Sequence, residues 1–330
     1  MDERNTVMAR EKRISVLSVL TIFLPIMAVS SCVTPLAGQL AALAAGQSTG
    51  IVAGNGALVV CAGDRLLLRY RYEGVPYKPY VQELFTPAGV NILRDAPADH
   101  LHHHALMFAV AVDGVNFWEE QQQPGRQRHL SFAHYAKAGD RNLPESAGFD
   151  EQLEWINPRT DEILAKELRT IKVCQMKDHN ATVLNWVAKL SPPAGKDSIT
   201  LTGSPYFGLG MRFLESMDTG GQFMNAQGQT GVENTNDKRA KWCAYVAKAD
   251  GKVVTVAMFD YPDNVRHPAT WFTMEKPFAY ISATLALHKE PLKIKTGEPL
   301  VLRYGVALWD GRVSPEQIEK AYSRWVDWSR

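Results

Sequence analysis

The sequence predicts an all-β fold, a large antiparallel β-sandwich closed by one C-terminal helix. Three observations predict it: short runs of alternating apolar residues recur from Ala57 to Trp309, turn residues punctuate them, and helical spacing is almost absent before the end. No Gly/Pro/Ser-rich linker divides residues 57 to 310, and no internal repeat is visible. The expected organisation is therefore a leader over 1–31, a tether over 32–55, and one domain over 56–330.

The elements follow in order. Leu58-Val59-Val60-Cys61, a Gly63-Asp64 turn and Arg65 to Tyr72 form a hairpin, with Leu66, Leu68, Tyr70 and Tyr72 on one face. Ala105 to Val112 reads as one buried strand. It turns at Asp113-Gly114, a strong hairpin signal, and returns as Val115-Asn116-Phe117-Trp118. Further strands are read at His129 to Tyr135, Glu162 to Lys177, Thr182 to Leu190 and Ser198 to Thr202. Lys241 to Lys248 and Val253 to Phe259 pair across Ala249-Asp250-Gly251, and Phe278 to Leu287 and Leu300 to Trp309 complete the set. The helix starts at Ser314 as N-cap, with Pro315 at the first helical position and Gln317 completing a capping box. Ile318, Ala321, Tyr322 and Trp325 line one side of it.

Ahead of the domain, Arg4, Arg10, Lys12 and Arg13 precede the apolar run Ile14 to Val29, the layout of an export signal. The run is shorter than the roughly 20 residues that a spanning helix needs, and Pro25 interrupts it. Val29-Ser30-Ser31-Cys32 resembles the lipobox of bacterial lipoproteins, which implies lipidation of Cys32. Val33 is not the aspartate associated with inner-membrane retention, so the expected location is the outer membrane, with contact through the lipid alone. Residues 33–55 carry no charge and are rich in Ala, Gly, Ser and Thr, as a flexible tether would be.

Of 36 basic and 35 acidic residues, four and three lie in 1–31, which leaves 32 of each. That balance argues against nucleic acid as a partner, because phosphate binding draws on an excess of Lys and Arg. Cys61, Cys174 and Cys243 sit in apolar settings and read as buried thiols, with at most one disulfide among them.

The densest chemistry lies in Asp99-His100-Leu101-His102-His103-His104, which holds four of the nine histidines. Imidazole titrates near neutrality and is the commonest metal ligand. In an extended segment His100, His102 and His104 would share one side and Asp99 and His103 the other. Two such imidazoles could converge on one ion, with a further ligand from elsewhere. The alternative is that the rings simply bond backbone carbonyls; the clustering favours function.

Several blocks are similar to a family of bacterial exported proteins, the PmoA family or methane oxygenase PmoA-like proteins. The blocks are Lys78-Pro79-Tyr80, Thr86-Pro87-Ala88-Gly89, Asp99 to His103, Gly114 to Glu120, Gly208 to Arg212 and Asp260 to Trp271. The likeness covers most of residues 75 to 310, with Leu101 in place of proline and His104 in place of arginine. It implies a mutarotase-like supersandwich, and a polar set of His100, His102, His103, Glu120, Arg212, Asn264 and Arg266. It does not imply methane oxidation, since no apolar run long enough to span a membrane follows the leader.

The chemistry expected from this set is carbohydrate processing of the lyase, hydrolase or isomerase type on a small-molecule or oligosaccharide substrate. His102, His103, Arg212 and Glu120 would be catalytic, one imidazole as acid or base and Arg212 holding a developing oxyanion. Asn264, Arg266 and His267 read first as a turn and second as a binding loop. His100, His102 and Glu120 could hold one divalent metal, with Zn, Mn, Ca and Cu undistinguished. Glu119-Glu120 is otherwise a solvated strand end, and Trp118, Trp186 and Trp242 are expected in the core. The rival classes are a non-catalytic glycan-binding or assembly lipoprotein and a copper-handling protein.

Overall fold

The computed structural model describes residues 49–137 and 144–330. The leader, Cys32 and most of the expected tether lie outside the described residues. All described residues fall in one compact unit, Pro35–Arg330.

Strands dominate, and every pairing is antiparallel. One sheet runs β1 (Thr49–Gly54), β2 (Ala57–Ala62), β3 (Arg65–Arg71), β4 (Tyr80–Leu84), β5 (Leu106–Ala109), β13 (Gly208–Arg212), β19 (Tyr280–Thr284), β18 (Thr270–Met274), β15 (Lys238–Arg239). The second runs β14 (Gln222–Asn225), β16 (Trp242–Ala249), β17 (Lys252–Asp260), β21 (Leu300–Asp310), β11 (Ala181–Ser191), β10 (Glu162–Met176), β9 (Ser146–Asn157), β8 (Arg126–Lys137). A small third sheet runs β20 (Leu292–Lys295), β12 (Ser198–Thr202), β6 (Ala111–Val112), β7 (Val115–Asn116). The expected all-β sandwich is what the chain forms.

The two large sheets bury one shared core between them. Tyr70 meets Phe149 at 4.8 Å between ring centroids, Phe108 meets Trp155 at 6.0 Å, and Phe213 meets Tyr245 at 4.9 Å. Besides a single turn at α1 (Val232–Thr235), the described residues hold one α-helix, α2 (Pro315–Trp328). Its capping box is formed: Gln317 N donates to Ser314 Oγ at 3.3 Å and Ser314 N to Gln317 Oε1 at 2.8 Å. Ile318, Ala321, Tyr322 and Trp325 bury against Phe259, Trp242 and Trp309 in a second cluster. The Asp113-Gly114 turn has φ of 47° and 83°, the two positive values that a tight type I′ hairpin needs.

Three expectations need correction. Residues 49–54 of the expected tether are strand β1, fully registered against β2. The single strand read over Ala105 to Val112 is two strands in different sheets, separated at Val110, whose carbonyl takes Phe117 N. And the twelve-residue β9 lies in a stretch that alternation does not mark, because acidic residues occupy buried positions. Glu151, fully buried, accepts from Tyr70 and His129, and Glu154 pairs with Arg128 at 2.7 Å. Beside them the buried Arg169 donates to Glu167, Gln127, Tyr70 and Pro79 O, so its guanidinium charge is matched and hydrogen-bonded throughout. Cys61, Cys174 and Cys243 are all buried and free, and no disulfide joins them.

Candidate functional site

Cross-strand register decides which side chains can meet. On β13, Leu209 and Met211 share the inter-sheet side with Phe108 and Ala283, while Gly210 and Arg212 turn to the opposite face. Opposite them on that face stand Ser282 and Tyr280 of β19, and beyond these Phe272 and Met274 of β18. The glycines of the Gly208-Leu209-Gly210 block are dictated by closeness. A Cβ on Gly210 would lie 1.9 Å from the Tyr280 hydroxyl, and one on Gly208 would lie 2.1 Å from Ala283 O.

The histidines reach this face from the segment before β5, which is not extended. His100 N donates to Pro97 O and His103 N to His100 O, both at 2.9 Å, so the segment makes successive turns. A turn brings residues three apart together: His100 and His103 stack at 4.6 Å with planes 18° apart. His102 meets His103 edge-on at 4.6 Å. Leu101, at the turn, is 66% exposed. The period-two arrangement expected for the segment does not occur.

Together these elements wall a cleft of about 370 Å³, within the range of small-molecule sites. His100, His102 and His103 form one side, and Trp118, Tyr206, Phe272, Phe278 and Tyr280 supply rings around it, with Glu119 at its edge. Trp118 stacks on Phe207 at 10° and touches His102 and His103 at 5.3 Å each. Trp186 and Trp242 are core as expected, but Trp118, though buried, also faces this cleft.

The two interior imidazoles differ electrostatically. Burial, reinforced by the neighbouring imidazoles and Arg212, pushes His103 down to about 2, so it stays neutral. His102 is lowered by burial and by His100, yet it remains partly open to the cleft. Of the pair expected to be catalytic, only His102 keeps access to the cleft. Burial raises the Tyr280 hydroxyl well above its usual value, so it keeps its proton.

Among the described residues, several polar atoms here have no partner. They are His103 Nδ1, Trp118 Nε1, the Tyr280 hydroxyl, and Nε and Nη1 of Arg212, each buried. Buried polar groups are nearly always paired, so such a cluster around one cleft singles it out as the candidate site.

Residues 57–323 match a family of unknown function, DUF6807. This chain belongs to that family. A search of curated proteins finds no match. Among solved structures, the chain is similar to the GH36 alpha-galactosidase AgaA of Geobacillus stearothermophilus at 9% identity and TM-score 0.41, over 80% of this chain and 41% of that one. The alpha-galactosidase of Lactobacillus brevis is similar at 8% identity and TM-score 0.40, over 84% and 42%. A galactose mutarotase related enzyme of Lactobacillus acidophilus is similar at 8% identity and TM-score 0.34, over 80% and 100%. The chain thus spans about two-fifths of the length of the alpha-galactosidases it matches.

The remaining residues of the DUF6807 chain singled out from its sequence fall elsewhere. Glu120 turns away from the aromatic cleft and accepts from Lys78 Nζ at 2.6 Å. His104 lies between Glu120, at 3.0 Å, and Asp95, at 3.1 Å, and stacks on Tyr80 at 4.6 Å. Burial opposes a charge on His104, but the bonds to Asp95 and Glu120 outweigh it and raise its pKa. The same bonds, with Lys78, outweigh burial on Glu120 and lower its pKa. Glu120 is thus a member of a buried ionic clamp, and neither a solvated strand end nor a partner of His100 and His102. Among the described residues, no three His, Cys, Asp or Glu side chains are grouped so as to hold a metal ion, so the set His100, His102 and Glu120 is not assembled.

Arg212 is 1% exposed and backs the cleft rather than opening into it. Its guanidinium carbon lies 3.4 Å from the centroid of Phe278, and Nη2 is 3.5 Å from Asp99 and 3.8 Å from Asp218. Glu215, close by in sequence, is bound by Arg94 at 3.0 Å.

Asn264, Arg266 and His267 are occupied in a turn and do not line the cleft. Asn264 bridges Asp260 and the Arg303 backbone, His267 Nδ1 meets Asp260 at 2.6 Å, and Arg266 donates to the carbonyls of Leu285, Glu290 and Pro291. The turn reading of this block is the one the structure supports.

Glu119, Tyr206, Phe278 and Tyr280 were absent from the expected set. Glu119 is fixed by the Tyr206 hydroxyl at 2.6 Å and by Asn116 Nδ2 at 3.1 Å. Its only signal in the sequence is its place beside Trp118.

Proposed function

We propose that the aromatic and imidazole cleft takes a sugar ring and that the protein acts on it by proton transfer. The observation that carries this reading is the gathering of unpartnered buried polar groups behind a wall of aromatic rings. An unmade hydrogen bond of this kind costs about 1–3 kcal/mol, so several at one place are retained for a role. Sugars suit both halves of the wall: their C–H faces pack on aromatic rings and their hydroxyls donate and accept.

In this reading His102, neutral at pH 7, removes a proton from a hydroxyl or from carbon beside a carbonyl. The protonated Tyr280 hydroxyl and the neutral His103 hold their hydrogen-bonding geometry, and Glu119 orients the ring with Tyr206. Arg212 acts from behind Phe278 as a positioning charge. The chemical outcome is of the isomerase, lyase or hydrolase type. The body is exported and held at the outer membrane by a lipid on Cys32, in keeping with the resemblance to PmoA-like exported proteins.

The test is a panel of oligosaccharides and keto-sugars examined for both turnover and thermal shift. Turnover that His102→Gln removes supports the enzyme. A thermal shift without turnover makes the protein a glycan-binding module instead, and no response to any sugar overturns the reading.

A further inference from the structure

The histidine turn has a second side. His100 and His102, which wall the aromatic cleft, also wall a neighbouring one of about 750 Å³ that includes His104 and Glu120. Tyr77 and Glu120 are in turn shared with a third cleft of about 710 Å³, which ends at Arg126 and Arg159. The three hollows thus adjoin, each sharing lining residues with the next.

The charge in its far end is one-sided. Arg126 opens β8, and Arg159 lies in the turn after β9. Both are exposed, and among the described residues neither side chain has a hydrogen bond or ion pair. Among the described residues, Glu120 is the one carboxylate lining this third cleft, and it is already matched by Lys78 and His104. Two guanidinium groups therefore stand unmatched in a chain whose net charge is only +1. Beside them Gln122 and Gln123 hold φ of 55° and 65°, left-handed values that non-glycine residues keep where surrounding structure imposes them, often at ligand clamps.

Resting on the sugar reading of the cleft, we propose that the three adjoining hollows act as one groove that binds an acidic oligosaccharide. The chain end lies at the histidines, and anionic groups further along are held by Arg126 and Arg159. Guanidinium pairs suit carboxylate and sulfate alike, because both present two oxygens to the planar fork. Glutamine amides beside them serve ring hydroxyls.

The experiment is calorimetric titration of the full chain with galacturonate oligomers from monomer to hexamer, matched neutral oligomers, and sulfated oligomers. Affinity should rise with length for the acidic series, exceed that of the neutral series, and fall as salt is added. Arg126→Ala and Arg159→Ala should each weaken the acidic hexamer by about tenfold while leaving the monomer unchanged. Preference between the uronate and sulfated series identifies the anion. Equal affinity for monomer and hexamer, or for acidic and neutral chains, overturns the groove while leaving the cleft reading intact. Silence toward every sugar in the panel overturns both.

Discussion

His100 and His103 lie ring on ring, centroids 4.6 Å apart and planes 18° from parallel, because a turn places residues three apart on one side. That stack fixes the histidine wall of the cleft and sets different tasks for its members. His103 is sealed behind His100, against Phe278 and Tyr280, and His102 is left with access.

The sealing of His103 makes stability depend on pH. Its folded pKa of about 2 lies below the unfolded value of 6.5, so below pH 6.5 the unfolded chain binds a proton that the folded chain refuses. Stability contributed by the neutral ring is complete above pH 6.5 and is lost as the pH falls toward 2. At pH 5 this amounts to about 2 kcal/mol, taking 1.36 kcal/mol per pH unit. Urea denaturation at pH 7 and pH 5 should show that loss in the wild type and a smaller one in His103→Gln. His104, whose folded pKa is raised, contributes in the opposite sense, stabilising below 6.5 and losing that contribution as pH rises.

The Lys78 and Glu120 pair is nearly sealed from water, with 1% and 9% of the side chains exposed. Breaking such a pair strands a buried charge at a cost of about 3–5 kcal/mol. Lys78→Met and Glu120→Gln should each lower stability by about that order. The double variant Lys78→Met/Glu120→Gln should be less destabilised than the sum, as denaturation in a double-mutant cycle would measure. Additive losses would mean that the two charges do not depend on one another.

Gly210→Ala places a methyl group 1.9 Å from the Tyr280 hydroxyl. The tyrosine must leave its position in the cleft wall. Overpacking of this kind costs about 1–3 kcal/mol, and ligand affinity should fall with it. Tyr280→Phe in the same background should recover part of the stability without restoring affinity. Denaturation and calorimetry read the two effects separately.

Cys32→Ala should move the protein from the membrane fraction to the soluble fraction of the cell envelope, read by fractionation and immunoblotting. Retention of the variant in the membrane would count against a lipid at that residue.

Much of the fold was legible because it is set locally. The capping box at Ser314 and Gln317 and the positive-φ pair Asp113-Gly114 each announce themselves in a few adjacent residues. What escaped depends on partners far along the chain. β9 hides behind Glu151 and Glu154, which are tolerable inside only because Tyr70, His129 and Arg128 answer them. The histidine cluster was visible, but its turn geometry was not, since it follows from backbone bonds to Pro97 and His100. Glu119 and Glu120 cannot be told apart by type, and they face different clefts because Tyr206 and Asn116 hold one while Lys78 and His104 hold the other. Tyr280 and Gly210 come together only through the register of β13 with β19 and the length of the tyrosine.

His102 is proposed above as the proton-transferring group of a sugar site. The most direct test of this role is the turnover, at pH 7, of a sugar that the wild type converts, compared with His102→Gln. The rate should fall by about 10²–10⁴ with the dissociation constant nearly unchanged. An unchanged rate in the variant would contradict it.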